Sequence, residues 1–210
     1  MSHLIIALPA VFFVVDPIGV VPLFIAMTAR DDAKKVNSMA LRACLAGAGL
    51  LVFFTLFGGF VFKMFGVTLG AFRVAGGLLL ILTALDMLRG RPSATRTSEQ
   101  EAAEGAEKDD IAIVPLAMPL LSGPGSIATV MVLMSTGDGL LTGAAVIASI
   151  AITFVVTYLM LRGAGHVKKV LGQTGIALLQ RVFGLILAAI AVQFIADGGK
   201  DLMVKVATGS

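Results

Sequence analysis

Six separate apolar stretches in this chain are each long enough to cross a lipid bilayer, and they limit the fold more than any other feature. Crossing about 30 Å of hydrocarbon at about 1.5 Å per residue takes roughly 20 residues. The stretches run Leu4 to Ala29, Ala40 to Phe62, Leu69 to Leu88, Ile111 to Met134, Leu140 to Leu161 and Ile176 to Ala196. In hydrocarbon, backbone polar groups must be satisfied within the fold, so the expected class is an all-α polytopic membrane protein. Composition agrees: 58% of the 210 residues are hydrophobic and 14% charged, where a soluble domain carries about 25% charge. The first stretch has no basic region and no small-residue cleavage pattern ahead of it, so it reads as a retained span.

The net charge of +3 does not point to nucleic acid, because the basic residues lie singly or in pairs between apolar runs. If the first, third and fifth loops share one side, that side holds all but four of the 16 basic residues, counting Arg181 at its boundary. The exceptions are Lys63, Arg73, Lys200 and Lys205. By the positive-inside rule both termini are then extracytoplasmic, in a multi-pass protein of the cell inner membrane. The single cysteine, Cys44, builds neither a disulfide framework nor a cysteine metal cluster. No cofactor and no metal are expected.

The polar linker Arg89 to Asp110 is too poor in apolar residues to bury a core of its own. It separates a first three-helix unit, residues 1–88, from a second, residues 111–197, with a polar tail at 198–210. The halves resemble each other. The run "RVAGGLLLIL" (Arg73 to Leu82) echoes "RVFGLILAAI" (Arg181 to Ile190) at an offset of 108 residues, and Pro17 and Pro124 are 107 apart. Each half has an odd number of spans, so two copies would insert in opposite senses as inverted repeats.

Two spans carry a breaker at midlength. In "DPIG", Asp16 to Gly19, proline lacks an N–H and clashes one turn back, yet it suits the first position of a new helix with Asp as its cap. In "SGPG", Ser122 to Gly125, Pro124 has the same place, with Gly123 or Ser122 at the cap. The expectation is two helices broken near the midplane, with the N-termini of their second halves converging. Exposed N–H groups and positive dipole ends suit a carboxylate, and the carbonyls freed beside each break suit an ammonium or a cation. A small zwitterion meets both needs. Candidate binding residues are Asp16, Pro17, Ile18, Gly19, Val20, Ser122, Gly123, Pro124, Gly125, Ser126 and Thr129. Asp16 also suits the coupling ion, because an ionised carboxyl already fills its own helix end and leaves the neutral cap at Gly123 for the substrate carboxylate.

"FFVVDPIGVVPLF" and "VPLAMPLLSGPGSIATVMVL" resemble the paired signatures of the MarC family of bacterial and archaeal membrane proteins. That family includes small neutral amino acid transporters of the SnatA type. The resemblance covers nearly all of the six-span region and implies transport of glycine, alanine and similar solutes, with H+ or Na+ as coupling ion. One position departs from the motif: Val20 stands where Asn commonly follows the glycine, which removes a donor and an acceptor from the expected site.

Other residues have plainer readings. Arg73 and Arg181 are expected to snorkel, and His3 and His166 to be solvated at the membrane edges. Gly76, Gly77 and Gly184 suit close helix packing. Enzymatic readings lack their residues, since only Asp16 is a central carboxyl and neither histidine is deep. An exporter or channel for another small solute, or a structural or regulatory subunit, uses the same broken helices. The expected partners are the lipid bilayer, a small zwitterionic substrate and further copies of the chain, and not nucleic acid.

Overall fold

A computed structural model describes residues 2–90, 112–135 and 139–208, and they form helices with no strand among them. The elements are α1 (Ser2–Val15), α2 (Pro17–Met27), α3 (Ala33–Phe65), α4 (Leu69–Arg89), α5 (Ala112–Leu121), α6 (Pro124–Ser135), α7 (Leu140–Arg162) and α8 (Ala164–Thr208). The linker at 91–110 lies outside the described residues.

Among the described residues, five stretches are long and apolar enough to cross a bilayer: His3–Met27, α3, α4, α7 and α8. The first is interrupted at Asp16, which separates α1 from α2. The expected fourth stretch is described from Ala112 as two pieces, α5 and α6, parted at Ser122 and Gly123. Both expected breaks are therefore present, while Pro9 and Pro22 sit inside α1 and α2 without ending them. α5 is π-helical, wider than an α-helix, and the i→i+5 pattern continues where Ser122 N–H donates to Ala117 O over 3.0 Å.

The remaining ends follow from local chemistry. Asp32 caps α3 by accepting from Lys35 N–H at 2.9 Å, and Thr68 caps α4 by accepting from Ala71 N–H at 3.2 Å. Gly66 and Gly90 end α3 and α4 in the left-handed conformation that an α-helix stop favours. α3 has 33 residues, about 50 Å at the α-helical rise, so it outreaches the hydrocarbon and its charged first turn belongs to the aqueous side. α8 bends at Gly172, which isolates a basic segment carrying His166, Lys168 and Lys169 from the apolar span.

Packing reverses the soluble pattern. Large apolar side chains such as Ile5, Phe57, Phe60, Val155, Leu159 and Leu185 are exposed, whereas Thr55, Ser122, Thr129, Ser149 and Thr157 are buried. Such a surface matches a lipid surround. One core joins α1, α2, α3, α5, α6 and α7, and a second, built on Leu80, Ala84, Met87, Leu187 and Ala191, joins α4 to α8. Small residues permit the second contact. A β-carbon at Gly77 would lie 2.8 Å from the Ala191 carbonyl, and one at Gly184 would lie 3.0 Å from the Ala84 carbonyl. The close-packing reading of these glycines holds.

Two sequence expectations need correction. Arg73 does not simply snorkel: its Nη1 is ion-paired with Asp201 Oδ2, because α8 continues as a helix past Ala196 and brings Asp201 over the first turn of α4. His3 is half-buried, with Nδ1 3.4 Å from Thr142 Oγ1 at the start of α7. His166 is exposed, as expected.

Candidate functional site

The break between α1 and α2 is built on Asp16. Its φ of 53° and ψ of 65° make it the one non-glycine residue in the left-handed region among the described residues. That conformation brings Cβ close to the following carbonyl and costs about 1–3 kcal/mol. Compensation is local. Asp16 N–H donates to Phe12 O at 3.0 Å, ending α1, and Asp16 Oδ1 accepts from Gly19 N–H at 3.1 Å, starting α2. The carboxyl lies so close over Gly19 that a β-carbon there would be 2.0 Å from Oδ2, so only glycine fits. Asp16 is 2% exposed. The break also withholds two donors from α1: Pro17 has no N–H for the Phe13 carbonyl, and the Gly19 N–H that would reach Val15 goes to the carboxyl.

At the second break, Gly123 O accepts from Ile127 N–H at 3.1 Å and so takes the cap position, with Pro124 first in α6. The N–H groups of Gly125 and Ser126 fall in the first turn, where a helix supplies no acceptor. Ser126 Oγ donates to Leu121 O at 3.4 Å and Thr129 Oγ1 to Gly125 O at 2.9 Å. Ser122 Oγ donates across to Gly47 O of α3 at 2.8 Å, both groups buried. Gly47 admits that contact because it has no side chain to meet Phe154 of α7.

The two breaks adjoin. A small cavity of about 10 Å³ is lined by Val14 from the end of α1, by Gly123, Pro124, Gly125 and Ser126, and by Leu79, Leu80 and Thr83 of α4. That is room for about one water molecule. A β-carbon on Gly125 would meet Leu80 at 2.8 Å and Val14 at 3.9 Å, which shows how tightly the three elements close on one point. Of the residues singled out from sequence, Gly123 to Ser126 line this cavity. Asp16, Pro17, Ile18, Gly19, Val20, Ser122 and Thr129 do not, and Ile18 and Val20 are buried apolar residues of α2.

Sequence reasoning missed α4 and α7. Thr83 is the one hydroxyl residue in α4, a signal available in the sequence but weak alone. α7 buries Thr142, Ser149, Thr153 and Thr157 on one face. Ser149 and Thr157 satisfy their hydroxyls on the carbonyls one turn back, whereas Thr153 Oγ1, fully buried, has no partner among the described residues. Its depth follows from register. His3 meets Thr142, and Ala7, Val11 and Val15 share a core with Val146, Ile150 and Phe154 at that same offset, so α1 and α7 run side by side. Thr153 therefore comes level with Val14, at the first break.

The family model for the MarC family integral membrane proteins matches residues 1–203. The chain is 40% identical over 198 residues to the UPF0056 membrane protein MJ1677 of Methanocaldococcus jannaschii, covering 94% of this chain and 96% of that one. It is 35% identical over 201 residues to the UPF0056 membrane protein YvbG of Bacillus subtilis, covering 95% and 94%. With the UPF0056 membrane protein YhcE of Escherichia coli the identity is 33% over 191 residues, covering 91% and 89%. No solved structure matches the chain.

Proposed function

The chain belongs to the MarC family of integral membrane proteins, and on that premise we propose that it is a six-span secondary-active carrier of small neutral amino acids such as glycine and alanine. One observation carries the reading: the interruption between α5 and α6 lines a cavity whose wall also holds Val14, two residues before the interruption that parts α1 from α2. Unwound backbone inside a membrane is tolerated where it lines a cavity or is buried in protein, and paired interruptions supply both signs of partial charge.

In this mechanism the substrate carboxylate takes the N–H groups of Gly125 and Ser126 at the positive end of α6. Its ammonium, or the coupling H+ or Na+, is held at Asp16 with the carbonyls of the interrupted α1. The two three-helix halves are inverted repeats, both termini are extracytoplasmic, and the protein resides in the cell inner membrane. It moves its solute without chemical change. A cavity with room for about one water cannot hold even glycine, so binding requires the α4 wall and the two breaks to separate. Closure by Leu80 and Val14 over Gly125 is then the occluded arrangement of an alternating-access cycle. Small walls at Gly123, Gly125 and Ser126 favour compact solutes.

The test is counterflow of labelled glycine in proteoliposomes preloaded with unlabelled alanine. Saturable exchange inhibited by small neutral amino acids supports the carrier. Single-channel currents without counterflow point to a pore, and neither exchange nor current from folded protein points to a structural or regulatory subunit.

A further inference from the structure

A second concavity lies far from the breaks, at the end of the bundle where α3 turns into α4. The last turns of α8 cover the first turn of α4 there, and the space between them and the turn is about 650 Å³. Its charge is unusual for its place. On the topology expected from the sequence, that side carries only Lys63, Arg73, Lys200 and Lys205, and three of these four, Lys63, Arg73 and Lys205, line this bowl. One carboxylate, Asp201, lines it as well and is ion-paired with Arg73. Lys205 has an interaction of its own, so Lys63 and Arg73 are the cations the bowl offers a ligand, against one carboxylate.

Arg73 is incompletely matched by the protein's own acceptors. The Arg73 side chain is 12% exposed, and its Nε is buried with no partner among the described residues, although buried guanidinium donors are normally satisfied. Leu69 and Gly70, also on the wall, open α4, and the Thr68 cap serves the Ala71 N–H only. Their own N–H groups fall in the first turn, at the positive end of the helix. A ligand with several acceptor oxygens meets this donor set. The bowl has an apolar half too: Phe62, Val67 and Leu202 form part of its wall, and the neighbouring Met64, Phe65, Met203 and Val204 are exposed. Free phosphate would satisfy the first half and leave the second in water.

We propose that this bowl binds the phosphate of a phospholipid headgroup, with Lys63 and Arg73 on the phosphate oxygens and the acyl chains along Phe62, Val67 and Leu202. The site is separate from the transport reading and stands or falls without it.

The full-length protein, purified in detergent, is titrated with phosphatidylglycerol under native mass spectrometry, and its melting temperature is followed in parallel with inorganic phosphate. Lys63 is exposed, so Lys63→Gln keeps the fold and is expected to weaken lipid binding about five-fold, near the effect of one basic residue at a membrane surface. Lys63→Gln combined with Arg73→Gln is expected to abolish retention, while Lys169→Gln, outside the bowl, leaves it unchanged. Stabilisation by inorganic phosphate that Lys63→Gln removes, without lipid retention, overturns the lipid assignment and gives the oxyanion site to a free anion. Lipid and phosphate responses identical in wild type and both bowl variants overturn the site itself.

Discussion

Ser122 and Gly47 are joined by a buried hydrogen bond of 2.8 Å that ties the break between α5 and α6 to the middle of α3. It anchors the hydroxyl beside the break to a helix that is itself continuous. A β-carbon at Gly47 would stand 2.9 Å from Ser122 Oγ and 2.8 Å from Phe154, so both partners resist substitution, by different routes.

Gly47→Ala is expected to destabilise the protein by about 1–3 kcal/mol through overpacking, and Ser122→Ala by about 0.5–1.5 kcal/mol through the lost hydrogen bond. Denaturation of the purified protein in detergent reads both. A Gly47→Ala protein as stable as wild type would show that α3 and α7 are not held against the break.

Asp16→Asn is expected to fold with a stability within about 1 kcal/mol of wild type. Asn accepts from the Gly19 N–H as Asp does and tolerates the left-handed conformation. Asp16→Ala keeps the strained φ without the cap and is expected to lose about 1–2 kcal/mol. Equal stability of the two variants would mean that the cap contributes nothing.

Thr153→Val removes a buried hydroxyl that has no partner among the described residues. Unmatched buried polar groups cost about 1–3 kcal/mol, so this near-isosteric change is expected to leave stability unchanged or raise it by about 1 kcal/mol. On the carrier reading it also lowers glycine transport at least ten-fold, because the hydroxyl sits level with the first break. Loss of stability with unchanged transport would make Thr153 an ordinary packing residue.

The glycines separate into two kinds. Gly77→Ala drives a β-carbon to 2.8 Å from the Ala191 carbonyl, which cannot swing aside, and is expected to cost about 1–3 kcal/mol. Gly49→Ala in α3 meets nothing within 4 Å and is expected to gain up to about 1 kcal/mol from helix propensity. Thermal unfolding of both variants in the same detergent checks the ordering.

What was legible in the sequence was what local chemistry decides. Asp16 before Pro17 announces a cap and a first helical residue whatever surrounds them, and Gly123 before Pro124 does so nearly as well. The five long apolar stretches found among the described residues were legible because hydrocarbon thickness sets their length. The pairs were not. Arg73 and Asp201 are 128 residues apart, and nothing in either neighbourhood signals that α8 continues far enough to bring them together. The contact of His3 with Thr142 depends likewise on the register of α1 against α7. The π-helical winding of α5, a segment that holds Pro115 and Pro119, was not read from the sequence. Thr153 looks like any threonine in an apolar span, and only the positions of its neighbours show that its hydroxyl lacks a match.

The most direct measurement is accumulation of labelled glycine and alanine in proteoliposomes, under sodium and proton gradients imposed separately, with wild type beside Asp16→Asn. The carrier reading predicts saturable, concentrative uptake driven by one of the two gradients and lost in Asp16→Asn, although that variant remains folded. Full gradient-driven uptake by Asp16→Asn would remove Asp16 from the coupling site. No uptake by folded wild type under either gradient would contradict the carrier itself.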